Sequence, residues 1–548
     1  MARALSWRDA GVVADGLPAR EDARDMAERQ PIVYLRGYAG PPSGVDKQTD
    51  DPFYGLNSGA THIRVGGDEV PTFYQFEGPL LRLMNDEGYQ LLVRGDQQAY
   101  LASQDDGTVP PASIWVHRFY DYAASTFGTS VVGVPEEFDL ERAAERLYDF
   151  VQLVRLKTGA PKVHLVAHSM GGLLARCMIQ KVSRTPDPAT GEPRRPGSEL
   201  VDRLFTYGTP HGGISFDVGG GLVDWAMETF GPNGSDMFVP ERMYAYLTPG
   251  ALEGAAPPAG WRANEIPPEA FDVRRVFCLV GTNAADYGLV EKAVGPRSDG
   301  LVHIDNAYVR QAHRAYVHRS HSGRYGLVNS EEGYQNLRRF LFGAYQVRVD
   351  LRGVELPEQP PTGSRIRQAE VRLSVRGLPI VMHEQLAAHH CPVQLDLEAD
   401  RHVREDGPDG LVPLATTFLL DPAQFHRDNR GQPLRRSRYS LALRVFHLDE
   451  KHGQFFWQDH LEQMADWEEN LIVDVGRHDD EPETMLQAWA AWQSEVQGII
   501  EDLDPISGDA CRFTVDGGEL RADIPLPEGA QPHLGARARL CLTVARHE

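Results

Sequence analysis

Short apolar runs alternate with amphipathic stretches over the first part of the chain. Each run leads into a loop, as buried strands of a parallel sheet do. The five runs are PIVYLRGYAG (31–40), SIWVHRFYDY (113–122), KVHLVAHS (162–169), DRLFTYGTPHGG (202–213) and RRVFCLVGTN (274–283). This alternation predicts an α/β fold, in which a mostly parallel sheet is flanked by helices on both faces.

Two stretches in this region predict helices. In residues 139–159 the apolar positions recur every three or four residues, which places them on one helical face, and Gly159 is a stop signal. The segment EEGYQNLRRFLFG (331–343) predicts the closing helix of the same unit. The apolar face of the first helix comprises Leu140, Ala144, Leu147, Val151 and Val154.

After residue 344 the apolar residues recur at every second position, which is typical of strands with one face in a core and the other in water. Examples are RIRQAEVRLSVRG (365–377), RYSLALRVFHL (438–448) and ARARLCLTVAR (536–546). We therefore expect an all-β, sandwich-like C-terminal domain. The predicted division is an N-terminal extension (1–30), an α/β domain (31–344) and a β-rich domain (345–548).

Length and composition agree with this division and narrow the choice of partners. A chain of 548 residues exceeds the size at which a single core usually keeps growing. Its net charge of −23 disfavours binding to nucleic acid or to anionic lipid surfaces. The sequence has no apolar run near the ~18 residues that a membrane span needs, so we expect a soluble protein without an integral membrane segment.

The N-terminal residues and the cysteines indicate the cellular compartment in which the protein is expected. Residues 1–30 lack the apolar stretch and cleavage site of a secretory signal, so the expectation is a cytoplasmic or otherwise soluble protein. Five scattered cysteines without a Cys-x-x-Cys pair suggest neither a disulfide framework nor a zinc cluster. We expect them to be buried small side chains.

Ser169 is the main candidate for chemistry. It lies in VAHSMGGLLARCMIQ (166–180), between a strand-like run and a helix-like run. A serine there could simply cap a buried helix. It could also be a nucleophile on a sharp strand–turn–helix elbow, where small neighbours such as Ala167, Gly171 and Gly172 are needed and the helix N-terminus stabilises an oxyanion.

A candidate acid and two candidate bases follow Ser169 along the chain, in that order. Asp299 lies in RSDGLVHI (297–304), after the strand at 274–283, although an Asp-Gly pair alone most often marks a turn. His318 and His321 lie in the loop before the closing helix. Serine, then aspartate, then histidine is the chain order of the catalytic triad in α/β-hydrolases.

Residues 30–345 thus resemble the α/β-hydrolase fold, and within it the lipase and lecithin:cholesterol acyltransferase-like branch, through AHSMGG, GTPHGG and SDGLV. The resemblance implies a triad of Ser169, Asp299 and His321, with His318 as the alternative base. His321 is favoured because its loop runs directly into the closing helix and resembles the histidine loop of lipases. The backbones of Tyr38 and Met170 would form the oxyanion hole.

The other histidines near these motifs have different expected roles. His211, in the Gly-Thr-Pro-His turn, precedes the acid in the chain, so we expect it to brace that loop. His168 is adjacent to the nucleophile, and we expect it to be a packed, hydrogen-bonded residue. The usual His-Gly of the oxyanion loop is here Arg36-Gly37, which makes that loop a departure from the family.

Two insertions are expected to select the substrate. One is 46–83, and the other, 214–271, mixes glycines with large apolar residues, as suits either a mobile lid over an acyl pocket or a fixed cap filled by its own side chains. Both versions favour an apolar acyl group. The proposed pocket and lid residues are Phe216, Leu222, Trp225, Met227 and Phe230.

The expected activity is that of a serine esterase or lipase acting on a small-molecule or lipid ester, without a cofactor. An acyltransferase would use the same triad, and a non-catalytic hydrolase-like scaffold with a partner-binding β-domain is an alternative of another class. No metal site is predicted: HDDEPE (478–483) and Asp305 are interpreted as solvated faces, and no residue matches the structural calcium of some lipases. Acyl length, alcohol, oligomeric state and the role of the β-domain stay open.

Overall fold

The structure of the chain is a computed structural model. The described residues are 29–37, 63–65, 71–73, 78–91, 97–117, 119, 139–214, 236–285, 295–322, 326–358, 365–395, 411–421, 436–449, 465–477, 486–496, 514–516 and 519–547.

A seven-stranded sheet forms the centre of the N-terminal region. Its spatial order is β4-β5-β1-β6-β7-β8-β9, and every neighbouring pair is parallel. A separate hairpin joins β2 and β3. The strands are β1 Ile32–Leu35, β2 Ile63–Val65, β3 Pro71–Phe73, β4 Gln90–Leu91, β5 Ser113–His117, β6 Val163–His168, β7 Val201–Tyr207, β8 Val276–Gly281 and β9 His313–Val317.

Helices cover both faces of this sheet, which confirms the predicted α/β architecture. Val33 and Leu35 of β1 point into the core beneath α3 and α4, whereas Ile32 and Tyr34 point into the core beneath α1 and α7. The described helices are α1 Gly78–Glu87, α2 Gln97–Ala102, α3 Leu140–Thr158, α4 Met170–Gln180, α5 Gly197–Leu200, α6 Pro240–Leu247, α7 Glu331–Phe342 and α8 Gln531–Leu534.

Both ends of α3 are set by local signals, of which the stop at Gly159 was predicted. The Asp139 carboxylate accepts hydrogen bonds from the backbone N–H groups of Glu141 and Arg142, at 2.8 and 3.0 Å, and so caps the first turn. Gly159 ends the helix with φ 71°, a left-handed conformation that glycine adopts without a Cβ clash.

The described part of the C-terminal region is built of β-strands, as predicted, apart from the one-turn helix α8 and short 3₁₀ turns. One antiparallel sheet has the order β14-β10-β20-β19-β18, and the other has the order β12-β11-β15-β16-β17, with β13 paired to β11. Side chains of both sheets share one hydrophobic core, so the sheets pack face to face. The strands are β10 Tyr345–Arg352, β11 Arg365–Val375, β12 Val381–Gln385, β13 Val393–Gln394, β14 Val412–Leu419, β15 Arg436–Asp449, β16 Trp467–Arg477, β17 Leu486–Trp492, β18 Thr514–Asp516, β19 Glu519–Pro525 and β20 Arg539–Arg546.

The β-rich region packs against α7 and the edge strand β9. Asn336 on α7 donates a hydrogen bond from Nδ2 to the carbonyl oxygen of Met382, at 2.9 Å. The ring centroids of Phe340 and Phe418 are 5.3 Å apart. On the other side of the contact, the His383 ring meets the Tyr316 ring edge-on, with centroids 5.6 Å apart.

We expect this contact to weaken in acid because of His383. Burial lowers the pKa of His383 to about 4, whereas an unfolded histidine has a pKa of about 6.5. The unfolded chain therefore takes up this proton first as the pH falls. The free energy of unfolding should decrease by about 1.4 kcal/mol per pH unit on this account, starting near pH 6.5 and ending near pH 4.

Urea unfolding of the full chain at several pH values between 7 and 4 would measure the effect. His383→Leu should flatten the pH dependence relative to the unsubstituted protein. Met382→Leu, a nearly volume-conserving change at the adjacent buried position, should leave the slope unchanged. Equal slopes for the parent and His383→Leu would contradict this role.

The described segments show the burial of four cysteines and the length and hydropathy of the helices. Cys177, Cys278 and Cys391 are buried free thiols, and Cys541 is a partly exposed one. Among the helices of the described segments, none is both long and apolar enough to span a membrane.

Candidate active site

The peptide turns sharply at Ser169, between β6 and α4. Ser169 has φ 52° and ψ −127°, one of three described non-glycine residues with positive φ. Its side chain makes no capping hydrogen bond, although the residue precedes the first residue of the helix. A strained turn between a strand and a helix is the conformation expected at a nucleophile elbow, and it costs of order 1–3 kcal/mol in a non-glycine residue.

This strain gives a stability prediction. Ser169→Gly should be more stable than Ser169→Ala by about 1 kcal/mol, because both lack the hydroxyl and only alanine keeps a Cβ in the strained conformation. Thermal or urea unfolding of the two variants side by side measures the difference. At a residue with ordinary backbone angles alanine would be the more stable, so that order would refute strain at Ser169.

Two glycines after Ser169 allow the turn to pack closely. A Cβ at Gly171 would lie 2.6 Å from the carbonyl oxygen of Arg36, and one at Gly172 would lie 2.2 Å from Oγ1 of Thr209. That Thr209 hydroxyl donates a hydrogen bond to the carbonyl oxygen of Ser169, at 2.8 Å. The small residues of the elbow thus keep the loops after β1 and β7 in contact with it.

His321 joins the serine to an aspartate. The Ser169 hydroxyl lies 2.9 Å from Nε2 of His321, and Nδ1 of His321 lies 2.8 Å from Oδ2 of Asp299. Because a carboxylate only accepts hydrogen bonds, Nδ1 carries the proton and Nε2 accepts the bond from the serine hydroxyl. The three side chains, all almost fully buried, form one continuous hydrogen-bonded chain.

The Asp299 carboxylate has its second oxygen fixed by the backbone. Oδ1 accepts hydrogen bonds from the N–H groups of Leu301 and Val302, at 3.0 and 2.7 Å. Gly300 has φ 99°, and the resulting turn directs the N–H groups of Leu301 and Val302 towards Oδ1. Oδ2 is consequently directed at His321.

The loops that carry the three groups all follow the carboxyl ends of sheet strands. Ser169 follows β6, Asp299 comes after β8 and His321 after β9. Parallel strands end at the same edge of a sheet, which is where α/β proteins place their sites. Side chains separated by 152 positions in sequence therefore meet.

Glycines also clear the space around Asp299 and His321. A Cβ at Gly208, which has φ 51°, would lie 2.9 Å from Oδ2 of Asp299 and 3.1 Å from Nδ1 of His321. A Cβ at Gly281 would lie 2.7 Å from the Asp299 Cβ. Neither glycine was predicted to lie at the site: Gly208 begins the GTPHGG motif, and the signal for Gly281 was its position at the end of β8.

The alternative base, His318, is placed elsewhere. Its ring stacks on His389 of the β-rich region, with centroids 3.7 Å apart, and its Nδ1 lies 3.3 Å from Oγ1 of Thr282. His318 is the first residue after β9, so the strand directs it to the contact with the β-rich region, whereas the chain turns before His321. The structure therefore brings His321, and not His318, to Ser169.

His211 lies in a buried pocket behind the elbow. Its Nε2 is 3.1 Å from Oγ1 of Thr206, and Arg176 donates to its carbonyl oxygen at 3.2 Å. Burial, together with the Arg176 charge, holds the pKa of His211 well below its usual range. These contacts are those of a residue that braces the loop.

Only part of the predicted oxyanion hole can be located. Met170 is the first residue of α4, and its N–H belongs to the four that a helix leaves without an intrahelical acceptor. Tyr38 lies outside the described residues. The preceding residue, Gly37, is close to the nucleophile, since a Cβ there would lie 3.0 Å from the Ser169 Cβ.

The predicted lid residues also lie outside the described residues; they are Phe216, Leu222, Trp225, Met227 and Phe230. The described remainder of that insertion packs tightly. Met237, Phe238 and Met243 belong to the main hydrophobic core, and a Cβ at Gly213, in the loop after β7, would lie 2.5 Å from the Phe238 carbonyl oxygen. The described part of the insertion is therefore packed into the core, as expected of a fixed cap, and its role as cap or lid stays a prediction.

The acidic segment 478–483 lies outside the described residues. Asp305, the other acidic position considered, forms an ion pair with Arg297, at 3.1 Å, and its carboxylate lies 3.5 Å from Nδ1 of His303. Asp305 is thus a partly exposed, paired side chain.

The elbow region matches a known family. A model of the family Lipase (class 2) matches residues 133–218, which include Ser169 and the Gly-Thr-Pro-His turn. This match and the parallel sheet together support the resemblance of the chain to lipases. The chain has the fold of the α/β-hydrolases, and its residues 133–218 resemble lipases.

Solved structures were also compared with this lipase-like chain. The mature Bacillus licheniformis lipase BlEst2 aligns at 14% identity over 57% of this chain and 91% of its own, with a TM-score of 0.28. A gene product of Listeria innocua aligns at 14% identity over 57% of this chain and 94% of its own, with a TM-score of 0.22. A chain of the Tle4–Tli4 complex aligns at 13% identity over 46% of this chain and 57% of its own, with a TM-score of 0.19. No curated protein sequence gave a match.

Proposed function

We propose that this lipase-like chain is a serine carboxylic-ester hydrolase that acts on apolar acyl esters through an acyl-enzyme. The observation that carries the proposal is the chain of contacts from Ser169 Oγ to His321 Nε2, at 2.9 Å, and from His321 Nδ1 to Asp299 Oδ2, at 2.8 Å. A serine hydroxyl becomes nucleophilic when an oriented base can take its proton.

Acylation would proceed at Ser169. Its Oγ forms a bond to the ester carbonyl carbon while His321 Nε2 takes the hydroxyl proton. The N–H groups of Met170 and Tyr38 would stabilise the oxyanion of the tetrahedral intermediate. When the bond between the carbonyl carbon and the alcohol oxygen breaks, His321 gives the proton to that oxygen and the acyl group remains on Ser169.

Deacylation would repeat these steps with water. His321 takes a proton from a water molecule as the water oxygen attacks the acyl carbon, and it then returns the proton to Ser169 Oγ as the acid leaves. Throughout, the Asp299 carboxylate holds the His321 tautomer and stabilises the imidazolium form.

Preference for an apolar acyl group is supported by the composition of the insertion 214–271, which is rich in apolar side chains. Phe238 of this insertion lies next to Gly213, in the loop after β7. Apolar walls with few polar groups are typical of sites that bind acyl chains. The predicted lid residues come from the first half of the same insertion.

An active-site titration tests the proposal. The intact protein and Ser169→Ala are incubated with a fluorophosphonate, and the adduct is located by peptide mass spectrometry. We expect labelling at Ser169 alone, and then turnover of p-nitrophenyl esters with a preference that depends on acyl chain length.

No labelling under conditions where a control esterase reacts, or labelling at another residue, would overturn the proposal. Adding an acceptor alcohol to the ester assay separates the related activity, because a transesterified product that exceeds the free acid would identify an acyltransferase instead.

A further inference from the structure

His168 contacts the backbone of the residue that takes the proton. It is the last residue of β6, is 2% exposed, and its Nε2 lies 2.9 Å from the carbonyl oxygen of His321. Since a carbonyl oxygen only accepts, Nε2 carries the proton and donates it to this hydrogen bond. The two imidazole centroids are 4.9 Å apart.

We propose that His168 is a positioning residue that holds His321 in reach of Ser169. This inference rests on the proposed function, since it concerns the same site. His168 is bonded covalently to Ser169 and by hydrogen bond to His321, so one residue links the nucleophile to its base. The base lies in a loop between β9 and α7, and a loop needs such ties to hold a side chain precisely.

Both backbone polar groups of His321 are used for this purpose. Its N–H donates to the carbonyl oxygen of Asp299 at 2.8 Å, which ties the base to the acid. Its carbonyl oxygen accepts from His168, which ties the base to the nucleophile strand. Without the second tie the His321 ring could still contact Asp299, but it could move away from Ser169.

The orientation of the His168 ring is fixed by its neighbour. A Cβ at Gly37 would lie 2.5 Å from Nδ1 of His168, so the loop after β1 packs directly on the ring. That contact explains why glycine occupies position 37. The loop after β1 thus packs on the Nδ1 side of the ring, while Nε2 on the other side contacts His321.

His168 can donate a hydrogen bond without competing with His321 for the proton of Ser169. Burial and the adjacent His321 ring hold the pKa of His168 well below its usual range. When His321 becomes positively charged during acylation, the proton therefore remains on His321. His168 stays neutral, with its single N–H on Nε2.

Paired substitutions of similar length test this role. In His168→Gln the amide N–H can replace the Nε2 donor, whereas His168→Met fills similar space without a donor. We expect His168→Met to lower kcat for a p-nitrophenyl ester by on the order of 10–100-fold with KM little changed, because an offset near 1 Å of a reacting group costs about that much. His168→Gln should stay within a few-fold of the parent.

Two further measurements separate positioning from simple packing. The rate of fluorophosphonate labelling at Ser169 should fall in His168→Met by the same factor as kcat, and the apparent pKa in the pH profile of kcat/KM should shift in that variant and not in His168→Gln. If His168→Met does not fold, as judged by thermal unfolding, His168→Asn replaces it, because its shorter amide does not reach the His321 carbonyl.

The outcomes are distinct from those of the function test. Equal activity of the Gln variant and of the folded Met or Asn variant would overturn the positioning role while labelling of the parent at Ser169 continued to support the esterase. Failure of the parent protein to be labelled would instead overturn the proposed function.

Discussion

His321→Ala is expected to lower kcat for an ester substrate by about 10⁴ to 10⁶-fold, which is the range found when a member of a serine triad is removed. The hydroxyl of Ser169 would lose the acceptor that lies 2.9 Å away, and no other base contacts it within the described residues. Residual activity would come from the oxyanion hole and from substrate binding. Steady-state kinetics at a pH near neutrality measures the loss.

His318→Ala is the matched control. This histidine lies three positions earlier in the same loop, but it stacks on His389 and does not contact the serine. We expect its kcat to remain within a few-fold of the parent. A large loss in His318→Ala with an active His321→Ala would reverse the assignment of the base and would contradict the geometry of the site.

Much of the candidate site could be predicted from the sequence, because the order of the residues along the chain indicates which of them meet at the edge of the sheet. Ser169, Asp299 and His321 each follow a strand, and parallel strands bring such positions to one edge whatever the distance between them in sequence. The elbow could be predicted since a sharp turn requires small residues on both sides, as at Ala167 before Ser169 and Gly171 after it. Both the sheet and the β-rich region were predicted from periodicity alone.

Other features could not be predicted, because they depend on tertiary contacts that a local sequence pattern does not indicate. The strand β9, His313–Val317, was not among the predicted strands, because its five residues HRAYV start with two polar ones and it lies at the edge of the sheet. The choice between His318 and His321 depended on where the chain turns after β9. Likewise, the bond from His168 to the His321 carbonyl joins positions that are 153 residues apart.

The β-rich region has a physical consequence for the sheet that carries the site. An edge strand exposes unpaired backbone groups and favours unwanted pairing. Here β9 is the edge, and the neighbouring β12 packs beside it, with His383 against Tyr316. The loop with the base begins where this contact ends, so the β-rich region borders the segment that carries His321.

Asp299→Asn is expected to lower kcat by about 10⁴-fold while the fold is retained, which is the effect of this change in a serine triad. The structure determines how the new amide would be oriented. Because the N–H groups of Leu301 and Val302 both donate to Oδ1, the amide oxygen must occupy that position, and the NH₂ group then faces His321.

An NH₂ group in that place requires an acceptor at Nδ1 of His321. The imidazole must then carry its proton on Nε2, so it can no longer accept the proton of Ser169. The loss should therefore appear in kcat and, by the same factor, in the rate of fluorophosphonate labelling, with little change in thermal stability.

Asp305→Asn is the matched control for this substitution. Asp305 belongs to the same segment, but its carboxylate pairs with Arg297 and not with the base. We expect it to keep kcat within a few-fold of the parent. If Asp299→Asn also kept kcat within tenfold, the tautomer of His321 would not be set by Asp299, and the serine would need another source of activation.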